Sequence, residues 1–221
     1  MQLQIYLDLI TIKFSVLSKI LFSVAFFCIV LLNGCHKPCV PIYYKFNGGV
    51  AIINPDKGSI RIGDTLWFSS TIPVNLKYKQ GNSSDSTYYS LSGATNVITD
   101  LHLTTPLGVN MQTGAIDSFS FIAIKGSLQS NPLIPHAGKT ISYVEEGGNY
   151  LVAFGLIAQK KGVYILSIID IYQAQKNCDK ASVIITIDET DSHLHYLRDI
   201  YYGGGPINPI DSTHSYCFKV Y

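Results

Sequence analysis

Residues able to do chemistry are few in this chain, and their spacing rarely lets them act together. His193 and His195 are two positions apart. On a helix, such side chains point roughly 200° apart, so the rings cannot grip one ion; only a strand would put them on one face. His36, His102, His136 and His214 fall in separate loops or strands, none at ligand spacing with a second His, Cys or acidic pair. No metal site and no cofactor are expected. Glu145-Glu146 could supply the two carboxylates of glycoside chemistry, but neighbours on a strand face opposite ways, and Gly147-Gly148 make them solvated flanks of a hairpin. Asp188-Glu189-Thr190-Asp191 lacks the alternating acids of a calcium loop and reads as the acidic start of a helix. Nucleophile-elbow, phosphate-loop, dinucleotide and zinc patterns are all missing from the sequence. No catalytic residue is assigned, and the chain is read as non-enzymatic. What stands out is tyrosine, 15 in all, with Tyr43-Tyr44, Tyr88-Tyr89 and Tyr201-Tyr202 in pairs. One of each strand pair faces outward, where an aromatic ring can stack on a sugar or anchor a protein. Tyr88, Tyr89, Tyr201, Tyr202 and Trp67 are the candidate binding residues; the alternative is that the tyrosines simply pack sheet edges.

The cysteines need the leader to be read first. Ile20–Leu32 is an uncharged stretch behind Lys13 and Lys19. Thirteen residues suit the apolar core of a signal peptide, about 7–15 long, better than a membrane span of about 20. It ends Leu31-Leu32-Asn33-Gly34-Cys35, which resembles the lipobox of bacterial lipoproteins. Gly34 leaves the cleaved bond accessible, and the Cys35 thiol is the nucleophile that takes the diacylglycerol. Asn33 departs from the usual small residue, and an uncleaved amino-terminal anchor is the alternative. The resemblance implies a signal peptide over 1–34, acylation at Cys35 (palmitate among the chains), a tether over 35–42 and a domain over 43–221. Two or three acyl chains give stable anchoring where one is marginal. With His36 rather than Asp beside the cysteine, the outer membrane is expected, on either its periplasmic or its surface face. Cys28 then leaves with the leader, and Cys39, Cys178 and Cys217 remain in a compartment that permits disulfides. Cys178–Cys217 is the expected pair, closing 40 residues for roughly 4 kcal/mol. The alternative joins Cys39 to one of them.

These residues must be carried by strands. From Tyr43 onward, runs rich in Val, Ile, Thr, Tyr and Phe alternate with turn clusters such as Asn54-Pro55-Asp56-Lys57-Gly58, Gly147-Gly148-Asn149 and Lys160-Lys161-Gly162. The pattern predicts strands near 43–53, 59–62, 65–71, 97–105, 116–124, 140–145, 149–158, 162–171, 182–188 and 215–220. One short helix follows a Thr190 cap, with Leu194, Leu197 and Ile200 or Tyr201 on one stripe, ended by Gly203-Gly204-Gly205-Pro206. The fold class is therefore all-β: an antiparallel β-sandwich with one carboxy-terminal helix and an amino-terminal signal helix. Ser59-Ile60-Arg61-Ile62-Gly63-Asp64-Thr65-Leu66-Trp67-Phe68 resembles the early strand pair of immunoglobulin-like bacterial domains. Ile60, Ile62, Leu66 and Phe68 would face the core, and Trp67 a sheet edge or exposed face. Lys161-Gly162-Val163-Tyr164 is similar to the entry of a late strand, whose tyrosine hydroxyl satisfies backbone groups at the corner. Val163 to Ile171, apolar on both faces, reads as a central strand.

The 221 residues are 47% apolar and 14% charged, too apolar for a disordered chain. Sixteen basic against fifteen acidic residues give no stripe for nucleic acid. As a whole the layout resembles the small lipoproteins of gut-type Gram-negative bacteria. It implies a lipid-anchored envelope β-domain that binds a glycan, a peptide or a partner protein. A structural subunit of a surface assembly, or a glycan-directed enzyme, are the other readings.

Overall fold

The computed structural model describes residues 40–79, 86–169, 171–188, 194–208 and 213–221. The chain divides into two units, Met1–Val40 and Pro41–Tyr221. Only Val40 of the first is described, so the expected leader, Cys35 and Cys39 lie outside the described residues, as do Thr190 and His193. Among the described residues, no helix is long and apolar enough to cross a membrane.

The second unit is a β-sandwich. One sheet runs in the order β11 (Val144–Glu146), β12 (Asn149–Ala158), β3 (Thr65–Pro73), β1 (Tyr43–Asn54), β15 (Asp179–Ile187), β14 (Ile171–Lys176), with β8 (Phe119–Lys125) also against β12. The other runs β2 (Ser59–Ile60), β16 (Ser215–Val220), β13 (Gly162–Ile168), β6 (Ile98–Gly108), β10 (Gly138–Ser142), β9 (Ser127–Ser130), with β7 (Met111–Gly114) against β6. A separate hairpin, β4 (Asn75–Lys79) with β5 (Ser86–Ser90), continues from β3.

Strict alternation explains β3: Leu66, Phe68, Ser70 and Ile72 are buried while Trp67, Ser69 and Thr71 are exposed. Phe68 stacks on Phe154 of β12, ring centroids 4.7 Å apart. From the facing sheet come Leu101, Leu103, Tyr164, Leu166 and Phe218, all in the same core. Tyr164 donates its hydroxyl to the Lys160 carbonyl at 2.9 Å, so the tyrosine corner forms. β13 lies inside its sheet, between β16 and β6. It ends at Ile168, however, and the chain crosses to the opposite sheet as β14.

Four features differ from the sequence reading. Most ladders are antiparallel, but β1 pairs parallel with β15 and β2 parallel with β16, where early strands meet the last ones. Ile62 is 47% exposed, because β2 stops at Ile60 and the turn to β3 breaks the alternation. The carboxy-terminal helix is a short π-helical turn, Leu197–Tyr201. Finally, the Cys178–Cys217 bridge is not formed. Cys217 is buried in β16 against Ile165 and Leu197, whereas Cys178 sits in the β14–β15 turn of the opposite sheet. No two cysteines stand at disulfide distance among the described residues. Proximity in sequence to strand ends says nothing about which sheet each strand joins.

Candidate functional site

The sequence candidates fall in three separate places. Tyr88 and Tyr89 are on β5. Tyr89 turns inward onto Tyr44, with centroids at 4.4 Å, and onto Phe46, at 5.6 Å. Its hydroxyl donates to Asp179 at 3.3 Å; burial, then the Asp179 carboxylate, push it up to about 12. It is a packing residue, and Tyr88 is the exposed member of the pair. Tyr201 and Tyr202 meet edge-on at 5.1 Å and pack, half-buried, with Leu197, Ile165 and Cys217 on the outer side of the second sheet. Trp67 lies on the outer face of the first sheet, so no single platform unites the five.

The acidic candidates have protein partners. Glu145 accepts Ser92 Oγ at 2.6 Å, the Gly93 amide at 2.7 Å and the Tyr150 hydroxyl at 3.1 Å. The Ser92 hydroxyl, then the Gly93 amide, hold its carboxyl below the usual range. Glu146 pairs with Lys125 at 2.6 Å. As read from the sequence, both flank a hairpin, β11–β12. His195 lies tilted against Tyr196, ring centroids 4.0 Å apart, and among the described residues no cluster of three metal-ligating side chains occurs.

Around Trp67 the register builds a different kind of surface. Asn54, Trp67, Gly155 and Ile122 form one row across β1, β3, β12 and β8. Beside it run Ile52, Ser69, Ala153 and Lys125, and then Val50, Thr71, Leu151 and Val144. On the other flank stand Thr65, Ile157 and Ser120. Val50, Ile52, Trp67, Ile122 and Val144 are all exposed. The single charge among these positions is Lys125, at the corner and neutralised by Glu146. The indole lies against Gly155: a Cβ there would stand 2.8 Å from the ring and from the Thr65 methyl. Trp67 is therefore packed against Gly155 in an apolar field rimmed by hydroxyls and one amide. Thr65 also borders a groove of about 700 Å³ lined by Pro55, Lys57, Arg61, Asp64 and Tyr221.

Sequence reading identified Trp67 as outward-facing but missed its surroundings. The available signal was β8, Phe119–Lys125, apolar on both parities in a strand that has only one buried face.

No family model matches the chain, and no curated protein matches it. Among solved structures, the crystal structure of the human F-spondin reeler domain aligns with 85% of this chain and 100% of its own, at 11% identity and a TM-score of 0.39.

Proposed function

We propose that the chain is a lipid-anchored, non-catalytic envelope protein, held at the outer membrane through Cys35, whose sandwich binds an uncharged glycan on the face around Trp67. The observation that carries this reading is the exposed indole packed against Gly155, at the centre of rows that present apolar groups, hydroxyls and an amide but almost no charge. Sugar rings offer C–H faces for an aromatic ring and hydroxyls for Ser69, Thr71 and Asn54, whereas an acidic or phosphorylated ligand would find only Lys125, already paired with Glu146. Exposed apolar groups gathered on one sheet face mark an interaction surface rather than scattered surface residues. A non-catalytic role agrees with Glu145 and Glu146 being spent on Ser92, Gly93, Tyr150 and Lys125.

The alternative of strand-sharing assembly needs an open edge. On β14 the outer side is engaged at Gln175, which exchanges backbone hydrogen bonds with Thr95 at 2.7 and 2.8 Å.

Trp67 is the only tryptophan, so its emission reports directly on the proposed site. Titrating the full chain with a panel of neutral oligosaccharides should shift that emission for at least one of them. Trp67→Ala should weaken binding of that sugar about 30-fold or more, as for an aromatic hot spot. Emission indifferent to every glycan, or equal affinity in the variant, overturns the reading.

A further inference from the structure

Ile42, Tyr43 and Tyr88 are exposed at one end of the sandwich, the two tyrosines 71% each. The Lys180 ammonium stands 5.7 Å from the Tyr43 ring centroid. Lys77 is the cross-strand neighbour of Tyr88, and Lys45 is exposed two residues beyond Tyr43. The Tyr44–Tyr89 ring contact ties the start of β1 to the β4–β5 hairpin, so both groups belong to one end. Of the nearby acids, Asp179 accepts from the Tyr89 hydroxyl and the Ile42 amide, and Glu145 from Ser92 and Gly93.

We infer that this end, presenting Ile42, Tyr43 and Tyr88 among Lys45, Lys77 and Lys180, lies against the headgroups of an anionic lipid bilayer. Tyrosines suit the membrane–water interface because the ring is apolar and the hydroxyl wet, and each nearby lysine is attracted to anionic headgroups. The occupant follows from the chain itself. Cys35 precedes Ile42 by seven residues, about 25 Å when fully extended, so an acyl group there delivers the start of β1 to the membrane first. Tyr43 and Asn54 are opposite ends of β1, about 36 Å apart at strand rise, and Asn54 is the neighbour of Trp67. Docking by the tyrosine end therefore holds the Trp67 row away from the lipid, open to ligand. The inference rests on the Cys35 anchor proposed above.

The test uses the full chain, processed in its own envelope and reconstituted into vesicles of phosphatidylethanolamine and phosphatidylglycerol. A benzophenone amino acid replaces Tyr43, Tyr88 or, as the distal control, Ile62. Lipid adducts at 43 and 88 should exceed those at 62 at least about fivefold, and Lys45→Gln with Lys180→Gln should lower the yield at 43 by a similar factor. Equal yields at the three positions, or none at 43 and 88, overturn the orientation. The intact mass of the same sample separates the two failures. An acylated Cys35 without the contrast defeats this inference alone, whereas a chain lacking the acyl adduct defeats the anchor and the inference with it.

Discussion

His102 is the one described residue with a buried side-chain atom left without a hydrogen-bond partner, its Nε2. It stands in β6 with Ser167 of β13 on one side and Gly138 of β10 on the other. Ser167 is turned to Ser215, hydroxyl to hydroxyl at 2.8 Å, and Asp100 accepts Thr140 Oγ1 at 2.8 Å. Burial lowers the imidazole below its usual range, against a smaller opposing pull from Asp100. A histidine depressed in the folded state takes up its proton more readily when unfolded. It therefore costs the fold nothing above the ordinary value of about 6.5 and destabilises it as pH falls below that. Urea midpoints measured at pH 7.5 and pH 5.5 should drop for the native chain, and His102→Gln should make the drop smaller; an identical drop in both would show that another group carries it. Glu145 acts in the same direction, stability falling with pH, but from the opposite cause: the donors around its carboxylate favour the charged form, where burial disfavours it at His102.

Among the elements, β3 and β12 decide whether the Trp67 face exists. Their antiparallel register puts Gly155 directly beside Trp67, and the missing side chain is the space the indole occupies. Gly155→Ala places a methyl 2.8 Å from the ring, so the ring must lift or the strands part. Overpacking of this kind costs about 1–3 kcal/mol. The measurement is a urea titration followed by the emission of Trp67 itself: a lower midpoint together with a red-shifted folded spectrum is expected, and an unchanged spectrum would mean the ring tolerates the methyl. A one-residue slip between these strands would be worse, exchanging Leu66 and Phe68 for Trp67 and Ser69 on the core side. The alternation of β3 was legible from the sequence because one face of that strand is buried and the other wet. β4, β5, β7 and β9 were not, since they are short, polar strands whose pairing is set by neighbours rather than by their own pattern.

For the molecule as a whole, the last strand closes the sandwich. β16 lies between β13 and β2 and sends Tyr216, Phe218 and Val220 into the core, each almost fully buried. Tyr216 also reaches the loop after β1, exchanging hydrogen bonds with the Lys57 amide and carbonyl, both at 2.9 Å. Removing a large core side chain costs about 2–5 kcal/mol, against a total stability of about 5–15 kcal/mol for a domain. A chain ending at His214 should therefore show no cooperative thermal transition by circular dichroism; a sharp transition would mean the two sheets close without β16.

Sequence alone determined the strand-rich class, the turns, the tyrosine corner at Tyr164 and the outward parity of Trp67, because each depends on residues within a few positions of one another. Only the tertiary structure decided that β1 joins β15 and β2 joins β16, that Cys178 and Cys217 sit in opposite layers, and that Gly155 makes room for the indole. Those outcomes depend on which distant strands become neighbours. Many pairings satisfy the same local alternation, and the choice among them is made by packing the entire core at once.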